Sequence, residues 1–457
     1  MQKYIGTKAF YRRVLAVMLP IVIQQGITNF VSLLDNIMVG QVGTEQMSGV
    51  AITNQLLFIF QLCIFGSLSG AGIFCAQYFG KGDQEKIRSV FRYKLISTAL
   101  ITALAAGIFW VFREPLIRLF LTDTGTGGNL EATLQYGTTY LKIMLVGLIP
   151  FAAVQLYSST MRETGETVVP MAASTLAVFV NMVLNYILIF GHFGAPKMGV
   201  AGAALATTIS RFAELGLILV FARRRDKFPY FQGVYRTLRV PLPMVKEITF
   251  KGMPLLFNEL MWSLGTTLIV QCYSTRGLDA VAAYNISSTV SNFFSMAVFA
   301  MGTAISILVG QELGAGEFER AVDTNRKMIV FGAVLCMGAA ALLAVAAPCF
   351  PRIYNTTEDV RMLAKELLWL DAVFLTIRGI YNNCYFTLRS GGKTLLTFLF
   401  DSVSMWAVNL PVAWVLAHLT ALPLVTVYLI VQCVDALKTV VGLVLVKKGI
   451  WINNLAQ

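Results

Sequence analysis

Three carboxylates stand in apolar surroundings that would not hold them without a reason. Asp35 lies late in the first apolar run, within Leu33-Leu34-Asp35-Asn36-Ile37-Met38-Val39-Gly40. Glu259 sits five residues after Pro254 in the seventh run. Asp371 lies in the tenth, with Arg378 two helical turns on and so on the same face. A charge at the centre of a bilayer costs a few kcal/mol on insertion scales. A carboxylate kept there can bind and release a proton. Ionised, it can coordinate Na⁺ beside amide and hydroxyl oxygens, or attract an organic cation. The fifth run supplies such partners. Asn181 and Asn185 are i and i+4, so their amides share a face, and Thr207 in the sixth adds a hydroxyl. Two further charge pairs, Arg211 with Glu214 and Asp435 with Lys438, are i, i+3 neighbours that neutralise themselves. Asp401, near the start of the eleventh run, reads as interfacial.

These groups need membrane-spanning elements to hold them. Of 457 residues, 56% are hydrophobic and 13% charged. A soluble domain carries about 25% charged residues. The composition excludes an ordinary soluble enzyme and a disordered chain and points to an all-α integral membrane protein. A span needs about 20 apolar residues. Twelve candidates lie near 14–39, 49–79, 91–112, 134–157, 168–191, 199–221, 248–274, 281–312, 327–350, 362–388, 395–416 and 423–446. The first carries Gln24, Gln25, Asn29 and Asp35 and lacks a small-residue cleavage site, so it reads as a retained span. The seven cysteines form no CxxC pair and imply no disulfide framework. His192 and His418 fall in short loops and offer no intramembrane metal site.

The net charge of +12 is distributed by loop. One side carries Lys3, Lys8, Arg12, Arg13, Lys81, Lys86, Arg88, Arg162, the cluster from Arg223 to Lys246, then Arg320, Arg326, Lys327, Arg389, Lys393, Lys447 and Lys448. That is about 22 cations against about six on the other side. The positive-inside rule accounts for them without a nucleic-acid partner and places both termini in the cytoplasm.

The chain also repeats itself. Gln77-x-x-Gly80-x-Gly82-x-x-Glu85 returns 234 residues later as Gln311-x-x-Gly314-x-Gly316-x-x-Glu319, and Pro20 falls on Pro254. Further along, Arg162, Gly165 and Thr167 meet Arg389, Gly392 and Thr394 at an offset of 227. The reading is a duplicated six-helix unit. Residues 1–221 form an N-lobe, 222–247 a basic linker loop, and 248–457 a C-lobe. Six is even, so both copies share an orientation and the two bundles are pseudo-symmetric. The acids break that symmetry: Ile269 stands opposite Asp35, Gln25 opposite Glu259 and Met144 opposite Asp371.

At these residues the sequence resembles the multidrug and toxic compound extrusion (MATE) family, in its bacterial NorM and DinF-like branch. Leu19-Pro20 is followed fifteen residues on by Asp35 and then Gly40. Asn181 to Gly191 with Phe193-Gly194, Pro196, Gly199 and Gly202 is similar to the NorM-type fifth and sixth helices. The Gln77 and Gln311 motifs and Leu388-Arg389-Ser390-Gly391-Gly392 also fit. The resemblance implies export of organic, often cationic, compounds in exchange for a coupling cation. It implies a cation site of Asp35, Asn181 and Asn185 with Thr207, open to Na⁺ or H⁺. The second half departs from the NorM pattern. Trp262 stands where the seventh-helix Glu is expected, one turn beyond Glu259, and Arg378 stands near the place of the tenth-helix acid, two turns from Asp371. Glu259, Asp371, Arg378 and Trp262 are the C-lobe candidates for binding substrate or ion. Phe30, Trp262 and the Met-rich spans offer an adaptable apolar wall.

The expectation is therefore a secondary antiporter in the plasma membrane, driven by Na⁺ or H⁺ and needing no cofactor. Its partners are small organic molecules and membrane lipids, and it works as a monomer. The runner-up is a flippase for lipid-linked precursors, which asks for a cationic cavity to hold a diphosphate. No catalytic constellation at membrane depth points to an enzyme.

Overall fold

A computed structural model describes residues 4–121, 129–354 and 356–456; Lys3, counted among the basic residues, lies outside them. Twelve long helices run in chain order: α1 (Lys8–Gly40), α2 (Thr44–Lys81), α3 (Gln84–Arg118), α4 (Leu130–Glu163), α5 (Val168–Phe190), α6 (Val200–Ala222), α7 (Leu242–Ser274), α8 (Leu278–Gly314), α9 (Phe318–Ala346), α10 (Glu358–Ser390), α11 (Thr394–Leu419) and α12 (Leu424–Lys447). Eleven of these helices have spans long and apolar enough to cross a membrane; in α1 that span covers Lys8–Val31. α10 does not, because Arg361, Lys365, Glu366, Asp371 and Arg378 interrupt its hydropathy. It is nonetheless the helix packed against α8, α9 and α12. A helix walled by protein can keep polar side chains that a lipid-facing one cannot.

Several helices start earlier than the hydropathy suggests. α9 begins at Phe318 rather than near 327, because Gly316 at φ 79° closes the preceding turn and Asp323 pairs with Lys327 along the new helix. α11 is π-helical over Leu399–Val403 and Met405–Asn409. His418 belongs to its last turn, not to a loop.

The chain forms two compact units. The N-unit holds Ile23–Cys75 and Gln84–Lys246; the C-unit holds Met1–Val22, Ala76–Asp83 and Glu247–Gln457. These boundaries differ from a single cut at residue 221. α1 begins in one unit and ends in the other, and so does α2. In the N-unit the 222–247 stretch is not a free linker. Phe228, Tyr230, Phe231 and Val234 are buried, with Phe231 edge-on to Phe91 and tilted against Tyr157. Arg92 Nε donates to the Val234 carbonyl at 2.9 Å, and the Tyr230 and Thr164 hydroxyls meet at 2.7 Å. Burial pushes the Tyr230 phenol up, so it stays protonated there.

In the C-unit the repeated motif meets itself. A Cβ on Gly80 would lie 1.8 Å from the Gln311 carbonyl oxygen, and one on Gly314 would lie 1.9 Å from that of Gln77. The two Gln-x-x-Gly turns thus cross backbone to backbone, each glycine making room for the other copy's glutamine. Gln77 then clasps the C-terminal tail. Its Nε2 donates to the Ser390 and Asn453 carbonyls, and its Oε1 accepts from the Leu455 amide at 2.6 Å. Asn454 reaches the Gly314 carbonyl at 3.4 Å, and Trp451 is buried against Gly391.

Gly80→Ala must therefore push two backbones apart and lose on the order of 2–3 kcal/mol. Gly82→Ala, at φ 81° with nothing within 4 Å, bears only the left-handed backbone cost of about 1 kcal/mol. Thermal unfolding of the detergent-purified protein should show the larger drop for Gly80→Ala; equal drops would deny the crossing its role.

Candidate functional site

Within the N-unit, α1 and α5 run parallel and in register. Gln24 Nε2 donates to Ser174 Oγ at 2.7 Å, and Asn185 Nδ2 donates to Asp35 Oδ1 at 2.6 Å. Both pairs are 150 residues apart in the chain. The two polar rungs are separated by three helical turns, about 16 Å. The spacing of Asn181 and Asn185 works as the sequence suggests: both point at the first-helix acid.

Asn185 Nδ2 also donates to Asn181 Oδ1 at 3.1 Å, and Asn181 Nδ2 to Thr207 Oγ1 at 3.1 Å. With the Asn181 amide turned over, its nitrogen reaches Asp35 Oδ1 at 2.9 Å and Oδ2 at 3.1 Å while its oxygen accepts from Thr207. The second arrangement gives the carboxylate two amide donors, which is what an ionised Asp35 asks for. The four predicted residues are thus gathered from three helices. Asn181 and Asn185 are 5% and 1% exposed; Asp35 is half-buried.

One atom here is unspent. Asn185 Oδ1 is buried with no hydrogen-bond partner. A buried carbonyl oxygen beside a carboxylate is costly unless something accepts its lone pairs. A cation does so. Asp35, Asn185, Asn181 and Thr207 all carry hard oxygens, the type suited to an alkali cation such as Na⁺, although as placed the Asn185 N–H and not its oxygen faces Asp35. A proton on Asp35 would answer the same charge.

Two neighbours were not foreseen as site residues. Tyr140, buried on α4, bonds Thr207; a lone tyrosine in an apolar run gives no sequence signal. The Arg211–Glu214 pair closes at 2.9 Å, as its spacing implies, but it is also built into the site's helices. Ser174 Oγ donates to Glu214 Oε1 at 2.6 Å, and Arg211 stacks over Phe151 at 5.4 Å.

The C-unit candidates divide. Asp371, 1% exposed, accepts from Arg378 at 2.8 Å, Tyr428 at 2.6 Å, Ser287 at 3.1 Å, and Ser291. Its two oxygens take four donors, Arg378 the counter-charge among them, so the Asp371 carboxylate is fully spent, while Arg378 keeps an unpartnered Nε and a partly exposed side chain. Glu259 is not brought to them; its charged neighbours are Arg389 and Asp401. Trp262, one turn on, is exposed on α7. Asp401 is hydrogen-bonded within the protein. It lies in the π-helical stretch of α11, where Asn258 Nδ2 donates to Oδ2 at 2.9 Å and the Tyr381 hydroxyl donates to Oδ1. Asp435 pairs with Lys438 at 2.7 Å and also accepts from Asn409 at 3.0 Å.

Long apolar helices, a doubled six-helix pattern and carboxylates held by amides define a multi-pass membrane transporter, not an enzyme. A family model described as MatE matches residues 20–187 and 254–415, two stretches whose starts are one repeat offset apart. The chain belongs to the MatE family. It is similar to a probable multidrug resistance protein NorM of Thermotoga maritima, 28% identical over 84% of this chain and 80% of that one. It is also similar to a probable multidrug resistance protein YoeA of Bacillus subtilis, 27% identical over 84% and 82%. Among solved structures, the MATE transporter VcmN of Vibrio cholerae shares the fold at a TM-score of 0.86 and 19% identity, over 98% of each chain. A MOP superfamily transporter of Pyrococcus furiosus does so at 0.83 and 18%, over 98% and 97%.

If Asp371 and Arg378 are structural, Asp371→Ala leaves a partly buried guanidinium and three hydroxyls without their acceptor and costs about 3 kcal/mol, the low end for breaking a buried pair. Asp371→Leu with Arg378→Met should recover most of that. The check is the unfolding midpoint of single and double variants in detergent. A stable Asp371→Ala protein that has lost only transport would overturn the assignment.

Proposed function

We propose that this chain is a secondary antiporter of the plasma membrane, with both termini cytoplasmic, that exports small organic molecules in exchange for inward Na⁺ or H⁺. It acts as a monomer. The relatives' names support multidrug efflux as the role, and cargo is then cationic or amphipathic. The observation that carries the coupling is the Asp35–Asn185 contact with its spare buried oxygen. In the ion-free state the Asn185 amide serves Asp35 with its N–H. A cation at Asp35 needs the other end of that amide, its oxygen, and a proton on Asp35 converts an acceptor into a donor. A metal cation therefore breaks the Asn185–Asp35 bond as it stands, and a proton weakens it by removing the charge on its acceptor; either loosens α1 from α5. Cargo that binds better when the rung is closed is released when the ion enters. The exchange rests on each ligand preferring one of two states.

The flippase alternative needs uncommitted cations at membrane depth. Arg211 is paired with Glu214, Lys438 with Asp435, Lys94 with Glu163, and Arg378 with Asp371 through one of its nitrogens, its Nε remaining unpartnered. That commitment favours the antiporter.

The test is export of a fluorescent organic cation from reconstituted vesicles under separately imposed Na⁺ and H⁺ gradients. Gradient-driven export is expected for the wild type, with the effective gradient naming the ion, and at least a tenfold loss for Asp35→Asn. Asn185→Ala should raise the ion concentration for half-maximal rate by about tenfold, the equivalent of one lost ligand worth about 1.4 kcal/mol. Wild-type protein indifferent to both gradients, across a broad cargo panel, would move the flippase reading ahead.

A further inference from the structure

The positive-inside rule accounts for how many cations the 222–247 stretch carries, but not for how that stretch is built. Up to Lys246 it belongs to the N-unit, and it has two faces. The inner face is aromatic: Phe228, Tyr230 and Phe231 are buried, with Val234 beside them. The backbone behind them is pinned by side chains of α3. Arg92 holds the Val234 carbonyl, and Arg88 holds that of Pro229. The Tyr235 hydroxyl meets that of Tyr157 on α4. The stretch is therefore a fixed strap along the N-unit.

The outer face mixes charge with apolar surface. Residues 223–246 hold seven Lys and Arg against one acid, Asp226. Among the described residues only Lys227 of the seven is in an ion pair, with Glu166. Arg223, Arg225, Arg236, Arg239 and Lys246 are exposed. Between and beside them stand large apolar side chains: Tyr235, Leu238 and Leu242 are 58%, 55% and 63% exposed. Single exposed apolar residues are ordinary. Three within 235–242, alternating with unpaired arginines on a pinned backbone, make a segment of one chemistry. It suits the boundary between lipid headgroups and acyl chains, where apolar side chains enter the boundary and long cationic ones reach the phosphates.

We propose that the outer face of this strap is a binding surface for anionic phospholipid, with Arg236 and Arg239 on headgroup phosphates and Leu238 and Leu242 at the acyl boundary. A leaflet fits better than an acidic protein because of where the strap begins and ends. Arg223 directly follows α6, and Leu242 opens α7. Both helices are long and apolar enough to cross a membrane, so both ends of the strap are tied to spans. The aromatic inner face gives the contact its consequence. Phe231 packs on Phe91 and Tyr157, so lipid held by the outer face is held by α3 and α4 as well, not by a free tether. The inference rests on the cytoplasmic placement proposed above, since the negative surface potential is that of the cytoplasmic leaflet.

The test places a bimane fluorophore on Leu238→Cys in the full-length protein, with Cys63, Cys349 and Cys433 replaced by serine. The protein sits in nanodiscs of one bulk lipid mixture. A small fixed fraction of either phosphatidylglycerol or phosphatidylcholine carries a nitroxide on its upper acyl chain, and quenching by each gives the relative preference of the strap. The anionic lipid is expected to quench more strongly, and added salt should weaken the difference. One basic residue at an anionic surface is worth about fivefold. Arg236→Gln with Arg239→Gln should therefore lower the preference at least about fivefold. Arg236→Lys with Arg239→Lys keeps the charge and should leave it within about twofold. Neither residue is in an ion pair among the described residues, so neither pair of substitutions should move the unfolding midpoint.

Equal quenching by the two lipids would overturn the proposal, as would a preference unchanged in the glutamine pair. No quenching by either lipid would overturn it too, and is the outcome expected if the face meets an acidic protein instead. Sidedness is read separately: an impermeant thiol reagent should reach Leu238→Cys only after cells are permeabilised. Labelling from outside would sink the cytoplasmic placement by itself. The two leaflets of a nanodisc are alike, so quenching would still decide the lipid preference.

Discussion

A carboxylate inside a hydrocarbon layer must be answered by something, and the rest of this structure depends on how each one is answered. Asp371 is answered completely, by a guanidinium and three hydroxyls. Asp401 is answered by an amide and a phenol. Among the described residues Asp35 is hydrogen-bonded by amides, one of which leaves its oxygen unpaired, with Arg211 acting on it only at longer range. The first is closed, and a closed buried pair is structural because breaking it strands a charge. The last is open, and an open buried acid is where an ion can change the balance. The same residue type thus does different work according to the donors around it.

That distinction reassigns the second half of the chain. Sequence places Asp371 and Arg378 on one helical face, and the structure turns that coincidence into a lock. Glu259 remains near Arg389 and Asp401, a polar group drawn from α7, α10 and α11 and separate from the one around Asp371. Asp401 lies within the π-helical turns of α11, where the Asn258 amide and the Tyr381 hydroxyl reach it.

The duplication has two physical expressions. At one end the Gln-x-x-Gly motifs cross, and each glycine is needed because the other copy's backbone lies where a Cβ would be. Deeper in each unit, an amide on the first helix grips an oxygen on the fifth. Symmetric devices hold the scaffold, and the unsymmetric Asp35 is superimposed on one copy of it.

Composition, loop charge and the repeat were enough to determine an all-helical, two-copy membrane protein, because lipid dictates hydropathy segment by segment. The i, i+4 spacing of Asn181 and Asn185 with the first-helix Asp35 was enough to gather the candidate site, because helical periodicity is local. What only tertiary structure decided lies where a residue's meaning depends on a partner far along the chain. α10 fails the hydropathy test on its charged residues, and only packing shows that Asp371 among them is buried in protein. The 222–247 loop is docked by aromatic packing that charge counting does not register. Asp401 meets its amide and phenol partners within π-helical turns that no local propensity announces. Whether an acid is locked or free depends on which donors reach it across helices, and that is a property of packing alone.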